Sequence, residues 1–225
     1  MIFLTIVLPI VGNILSIMST LSPLRMASKI YKSGKLGKYN PFPVVMTTIY
    51  RFSWLFYGIA MKNWFYICVQ LTGFISSLIV VLLISGAIYN SKKLAWLVIV
   101  CMLATSFTFI LTMFICAYMS TDEEGQRLVI GYMSVAFLSI FNLSPLCDIY
   151  NCLKTKDSSH FDSLYTVVFF FNSLSWALYA TAIDDPLMYY LCYVSVIIFG
   201  FEILLLFIFR EKSSDNVPVS TIDIA

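Results

Sequence analysis

The chain has 225 residues, 60% hydrophobic and only 12% charged, with a mean hydropathy of +0.89 and a formal net charge of +2. A water-soluble domain carries about a quarter charged residues, so a soluble globular fold is excluded. The near-neutral balance also leaves no basic patch suited to nucleic acid.

Apolar runs of about 18 residues or more cross a bilayer core as helices, because a helix satisfies its own backbone hydrogen bonds. Seven such runs follow in chain order, at about 2–22, 43–60, 64–85, 94–118, 127–147, 164–182 and 187–209. The first, MIFLTIVLPIVGNILSIMS, lacks the basic flank of a secretory signal and is too long for a signal's apolar core, so it reads as a span. The tail after Phe209, REKSSDNVPVSTIDIA, reads as disordered.

Lys and Arg in short loops set orientation. With the N-terminus outside, the cytoplasmic face receives Arg25, Lys29, Lys32, Lys35, Lys38, Lys92, Lys93, Lys154, Lys156, Arg210 and Lys212. The outer face then holds Lys62 and Arg127, beside the acidic TDEE at 121–124 and Asp184 and Asp185. The imbalance predicts an outer N-terminus, a cytoplasmic C-terminus and an odd number of spans. The bilayer is thus a partner of the chain, with the plasma membrane as the default.

The cysteines form neither a disulfide framework nor a metal site: Cys68, Cys101, Cys116 and Cys192 fall inside spans, and Cys147 and Cys152 at the cytoplasmic face. His160 reads as a solvated loop residue. The sequon NLS at 142–144 lies deep in the fifth span, ahead of Pro145, where a glycan cannot be added. Paired catalytic carboxylates, a nucleophile–base set and a glycine-rich phosphate loop are all missing from the sequence, so neither an enzyme nor a cofactor is expected.

Comparison of each residue with the one 122 positions later reveals an ungapped repeat. LSPL at 21–24 recurs at 143–146, and Lys32, Val45, Ser53, Trp54, Tyr57 and Ala60 recur as Lys154, Val167, Ser175, Trp176, Tyr179 and Ala182. Each copy holds three spans, leaving the fourth as a connector: three, one, three. An odd number of crossings separates the copies, so they run parallel, related by an axis along the membrane normal. That plan places a substrate site at the copy interface near mid-depth.

Trp54 and Tyr57 share a helix face, as do Trp176 and Tyr179. A single tryptophan reads most simply as interfacial or packing. Two indoles related by the repeat at mid-span could instead clamp the apolar face of a sugar ring from both sides. Asn172, one turn before Trp176, either lines that cavity or bonds a neighbouring helix. Two charges lie within spans. Arg51 must face the interior, water or an acidic partner, since in hydrocarbon it costs at least ~2.5 kcal/mol. Glu202, in the cytoplasmic half of the seventh span, is under the same constraint. Each could simply be satisfied by the bundle or by snorkelling. Alternatively, Arg51 favours an anionic or highly polar solute, and Glu202 is a protonatable coupling group.

Taken together, LSPL, the basic inner loop, W-x-x-Y-G at 54–58, D-P at 185–186 and SPLCDIYNCLKTKDS at 144–158 resemble the SWEET family of sugar transporters, over roughly residues 12–209. The resemblance implies two triple-helix bundles (1–85 and 127–209) joined by an inversion-linker helix within 86–126, with 210–225 as tail. It also implies facilitated, bidirectional passage of mono- or disaccharides by alternating access, and it admits a homo-oligomer. Trp54 and Trp176 then flank the sugar. Pro23, Pro43 and Pro145 match three of four inner hinge prolines, the fourth being replaced by Asp162. Tyr57 and Asp185 match the outer gate, with Tyr179 as repeat partner. Gln70 and Cys192 stand where the family carries paired asparagines, and Cys192 is much the weaker hydrogen-bonding group. Ser195 and Ala180 replace glycines that the first copy keeps as Gly73 and Gly58, and Glu202 replaces a glutamine.

The leading expectation is a sugar uniporter in which Trp54 and Trp176 stack the ring while Gln70 and Asn172 bond its hydroxyls. The same fold carrying another small polar or anionic solute is the first alternative. A non-transporting seven-helix receptor is the second, disfavoured because signalling has no need of two equivalent halves.

Overall fold

The computed structural model describes residues 3–36, 41–89, 122–158 and 161–209, with short helical pieces between 95 and 114. The expected tail at 210–225, about half of the connector span at 94–118, His160, Cys101 and Cys116 lie outside the described residues. Among the described residues there are seven named α-helices: α1 (Leu8–Ser19, preceded by a π-helical turn at Phe3–Val7), α2 (Leu21–Ser33), α3 (Phe42–Ala60), α4 (Trp64–Tyr89), α5 (Glu123–Thr155), α6 (Ser163–Ala182) and α7 (Pro186–Ile208).

Among the described residues, five helical stretches are long and apolar enough to cross a membrane: α1 with α2 (Phe3–Ser33), α4, α5, α6 and α7. The sequence also predicted a span at α3. That 19-residue helix falls short in hydropathy because Arg51, Ser53, Thr48 and its tyrosines dilute it, and it turns these groups inward. The first and fifth helices run to Ser33 and Thr155, well past the expected ends at 22 and 147. Their extra turns carry Lys29, Lys32 and Lys154, residues suited to water or headgroups.

The exterior is apolar and the interior partly polar, the reverse of a soluble protein. Leu82, Ile197 and Phe207 are exposed, whereas Ser16, Ser134, Asn142 and Glu202 are buried. Lipid offers no hydrogen bonds, so polar side chains must find partners within the bundle. Asn142 bonds Ser195 through its amide nitrogen at 3.3 Å, confirming that the sequon asparagine is packed away.

The backbone repeats along with the sequence. Gly34 and Lys156, 122 positions apart, both turn left-handed (φ 66° and 52°), ending α2 and α5. Each donates its N–H back one turn at 2.8 Å, to Ile30 and Cys152. Left-handed geometry suits glycine, and Lys156 adopts it against its preference. Lys62 and Asp184, again 122 apart, have φ of 54° and 55°. Next to them, the N–H groups of Asn63 and Asp185 reach Gly58 and Ala180 at 3.0 and 2.9 Å. Asn63 and Asp185 then cap α4 and α7 with their side chains.

Helix packing follows the same rule. α3 packs on α4 and α6 on α7; α1 packs on α6 and α5 on α3; α2 packs on α4 and α5 on α7. Every pair maps onto its mate when α1–α2, α3 and α4 are exchanged for α5, α6 and α7. Buried bonds cross between the copies, among them that from Ser16 to Asn172 Oδ1 at 2.8 Å and that shared by Ser53 and Ser134 at 2.7 Å.

The three prolines that resemblance marks as hinges sit in three different settings. Pro23 follows a break at Thr20 that separates α1 from α2. It has no N–H to offer the Ser19 carbonyl, and the hydroxyls of Ser19 and Thr20 bond back to Ser16 and Ile17 at 2.8 and 2.7 Å. Pro43 lies in the first turn of α3, where a proline costs nothing. Pro145 lies inside α5, whose helix continues through it.

Candidate functional site

Tyr57 and Tyr179 occupy the last turns of α3 and α6, beside the chain reversals that end at Asn63 and Asp185. Tyr57 donates its hydroxyl to Asp185 Oδ1 at 2.8 Å, and the Asn63 amide donates to Tyr179 Oη, also at 2.8 Å. The two bonds are repeat mates, and each ties one copy to the other. Tyr66 adds a third tie, donating to Asp185 Oδ2 at 3.1 Å. Burial pushes the Asp185 carboxyl above its ordinary range, opposed by the bonds from Tyr57, the Met188 N–H and Tyr66. Tyr66 also packs on Trp176 and Tyr179, with ring centroids 5.6 and 5.7 Å away. This end of the molecule is therefore closed by a layer of tyrosines.

Beneath the tyrosines lies a cavity of about 50 Å³ that brings together Trp54, Gln70, Asn172, Trp176 and Cys192, all five residues expected to touch a solute, with Arg51 beside them. Each indole packs edge-on against its own tyrosine, Trp54 on Tyr57 at 5.1 Å and Trp176 on Tyr179 at 5.8 Å. Asn172 fulfils both of its readings, since it lines the cavity and also accepts the Ser16 bond. Three buried polar atoms of cavity-lining residues have no hydrogen-bond partner among the described residues: Arg51 Nε, Trp54 Nε1 and Gln70 Oε1. Buried polar groups are normally paired, so a cluster of three unpaired ones around one cavity is unusual.

A second, larger cavity of about 720 Å³ lies on the other side of Tyr50, Arg51 and Phe169, which wall both. It contains Pro23, Pro43 and Pro145, so the three prolines meet in one vestibule. Its charged lining comprises Arg51 from the first copy and Asp148, Asp162 and Glu202 from the second. Asp162, which the resemblance sets in the place of a fourth proline, caps α6 by accepting the Tyr165 N–H at 3.1 Å. Glu202 accepts from the Thr166 hydroxyl at 3.1 Å, so the bundle satisfies part of its need. The small cavity is well below the 300–1,000 Å³ usual for small-molecule sites, whereas the vestibule falls within that range.

Arg51 has only 4% of its surface exposed. Its Nη1 donates to the Val69 carbonyl at 3.3 Å, and its guanidinium lies 5.6 Å from the centre of the Tyr50 ring. The arginine packs over Gly73, where a Cβ would overlap its side chain as it lies here. Gly73→Ala is therefore expected to displace Arg51 and to destabilise the protein by about 1–3 kcal/mol. Gly86→Ala, where the added methyl meets nothing within 4 Å, is the control. Thermal melts of the two variants in detergent check this, and equal melts would refute the packing of Arg51 on Gly73.

Sequence reasoning missed Asn63, Tyr66, Tyr50 and Ser16. Two of them were signalled: Asn63 is the repeat mate of Asp185, and Tyr66 stands one helical turn before Gln70, on the same face.

These features define a multi-pass helical membrane protein with a two-copy core, closed at one end and open to a vestibule at the other. The family model described as "Sugar efflux transporter for intercellular exchange" matches residues 6–94 and again 128–214, two matches that begin 122 positions apart. The chain belongs to that family, the MtN3/SWEET proteins. Its relatives include the bidirectional sugar transporter SWEET5 of Arabidopsis thaliana, 23% identical over 79% of this chain and 74% of that protein. The bidirectional sugar transporter SWEET2a of Oryza sativa subsp. indica is 23% identical over 93% of this chain and 87% of its own length. The solved structure of a eukaryotic SWEET transporter has the same fold, with a TM-score of 0.77 at 20% identity, covering 89% of this chain and 94% of that one. The family and its relatives point away from enzymatic activity.

Proposed function

We propose that the protein is a bidirectional, facilitative transporter of mono- or disaccharides working by alternating access. The observation that carries this reading is the small cavity, where residues from both copies converge around unpartnered polar atoms between a closed end and an open vestibule. In this proposal two parallel triple-helix bundles, 1–85 and 127–209, rock about the connector in 86–126. Tyr57, Tyr179 and Asp185 form the outer gate, and the helices bearing Pro23, Pro43 and Pro145 bend at the inner side. The N-terminus lies outside the plasma membrane and the C-terminus in the cytoplasm. Trp54 and Trp176 hold the ring while Gln70, Asn172 and Cys192 meet its edge. The arrangement described above is the one open to the cytoplasm, and the solute reaches the tryptophans by parting Tyr50, Arg51 and Phe169.

The names of the relatives support sugar as the solute class. Glu202, paired with Thr166 in the vestibule wall, lies away from the small cavity, so flux is expected to run without a proton gradient. Uptake of labelled glucose, fructose and sucrose into proteoliposomes, with and without an imposed gradient, tests this reading. Saturable uptake indifferent to the gradient is expected. Flux that appears only with a gradient would make Glu202 a coupling group, and ligand binding without any flux would favour a receptor.

A further inference from the structure

We infer that the site takes a carboxylated sugar in preference to its neutral counterpart, with Arg51 and Trp54 holding the carboxylate and Gln70 a hydroxyl. The inference rests on the transporter reading for the idea that the small cavity is a solute site, and adds the chemical class of the solute. Three observations carry it. Arg51 is buried, yet no carboxylate lies within ion-pair distance of it among the described residues, where the ion pairs are Lys62–Glu123 and Arg127–Glu124. Its Nε–H is unpartnered, and so is the Trp54 Nε1–H; both residues wall the same small cavity. The third unpartnered atom, Gln70 Oε1, is an acceptor.

Two donors, one of them charged, together with one acceptor describe a hydroxy acid better than a neutral polyol. A carboxylate takes two N–H bonds at once and neutralises the buried cation, and a ring hydroxyl donates to Gln70. Position agrees with charge. Arg51 lies nine residues before the end of α3, about 14 Å along the helix, which is near the middle of a hydrocarbon core of about 30 Å. An unneutralised charge is most costly there. Asp148, Asp162 and Glu202 share the larger vestibule with Arg51, but none of them lines the small cavity or pairs with the guanidinium among the described residues. The repeat sharpens the point: the mate of Arg51 is Ser173, so the cation belongs to one side of the site and would orient the solute.

Glucuronate and glucuronamide share a ring and differ in charge, which makes them suitable probes of the full-length protein. Each is used as a competitor of labelled glucose uptake in proteoliposomes and as a stabiliser in thermal melts of the detergent-solubilised protein. Glucuronate is expected to act at about tenfold lower concentration than glucuronamide in both assays, the discrimination of one charge-assisted bond. Arg51→Gln is expected to level the two, and Arg51→Lys to retain part of the preference. Glucose uptake with equal potency of both compounds on the unaltered protein would overturn the inference and leave the transporter reading standing. Stabilisation by glucuronate without any flux would do the reverse. Indifference of the protein to both compounds in both assays would overturn the inference.

Discussion

Asp185→Ala is expected to open the tyrosine-lined end of the molecule. The carboxylate accepts from Tyr57, Tyr66 and the Met188 N–H at 2.8, 3.1 and 3.2 Å, at a position 2% exposed. Removing it strands two phenols and a helix-capping N–H, and each buried unpaired donor costs about 1–3 kcal/mol. In a state open at that end the phenols would bond water instead, so most of the loss falls on the closed state. A loss of about 3 kcal/mol shifts the balance about a hundredfold toward opening. Cys192 reports the change because it lines the cavity beneath these tyrosines and is buried. In intact cells, a membrane-impermeant thiol reagent should modify Cys192 slowly in the unaltered protein and at least tenfold faster in the variant, as followed by peptide mass. Asn63→Ala, which strands only Tyr179, should show a smaller increase. Equal labelling of all three proteins would mean that these bonds do not hold the end shut.

The ungapped match at an offset of 122 already contained much of this architecture. It paired Trp54 with Trp176 and Tyr57 with Tyr179, and the structure repeats it in the left-handed turns at Lys62 and Asp184 and at Gly34 and Lys156. Backbone reversals are local, set by a few residues and their caps, so they survive where side chains have diverged. The convergence of Trp54, Gln70, Asn172, Trp176 and Cys192 on one cavity was readable through the resemblance, which pointed to Gln70 and Cys192; helical spacing alone relates only Asn172 to Trp176.

What the sequence concealed depends on departures from the repeat. Identical LSPL words begin a new helix at Leu21 but lie within a continuous helix at Leu143. Thr20 in the first copy bonds its own backbone, whereas its mate Asn142 reaches across to Ser195. Tyr66 is mated with Met188, so no symmetry argument could supply its bond to Asp185. α3 fell short as a hydropathic span because its polar residues face inward, a property of packing that a window average cannot register. Arg51 was visible as an anomaly, but its accommodation by Gly73 needed three dimensions.

Replacement of either indole should have the largest effect on flux. Trp54 and Trp176 are 2% and 3% exposed and stand on opposite copies around the small cavity. Trp176 also packs on Gly12, where no larger residue fits without displacing the indole. A buried tryptophan cut to alanine costs about 3–5 kcal/mol of packing, so loss of function by itself would not separate a solute clamp from a structural prop. Phenylalanine makes the distinction, because it keeps an aromatic face and most of the volume while removing the N–H. Trp54→Ala and Trp176→Ala should each lower saturable sugar uptake at least tenfold. Trp176→Phe should retain most uptake, because that position supplies a face. Trp54→Phe should stay folded yet raise KM, because Trp54 Nε1 is one of the unpartnered donors. Uptake must be compared at equal amounts of monodisperse protein, with melting temperatures measured alongside. If alanine at either position lowered the melting temperature while the remaining folded protein carried sugar at the ordinary rate, the indoles would be packing residues. The solute would then have to be held by the polar atoms of Arg51 and Gln70.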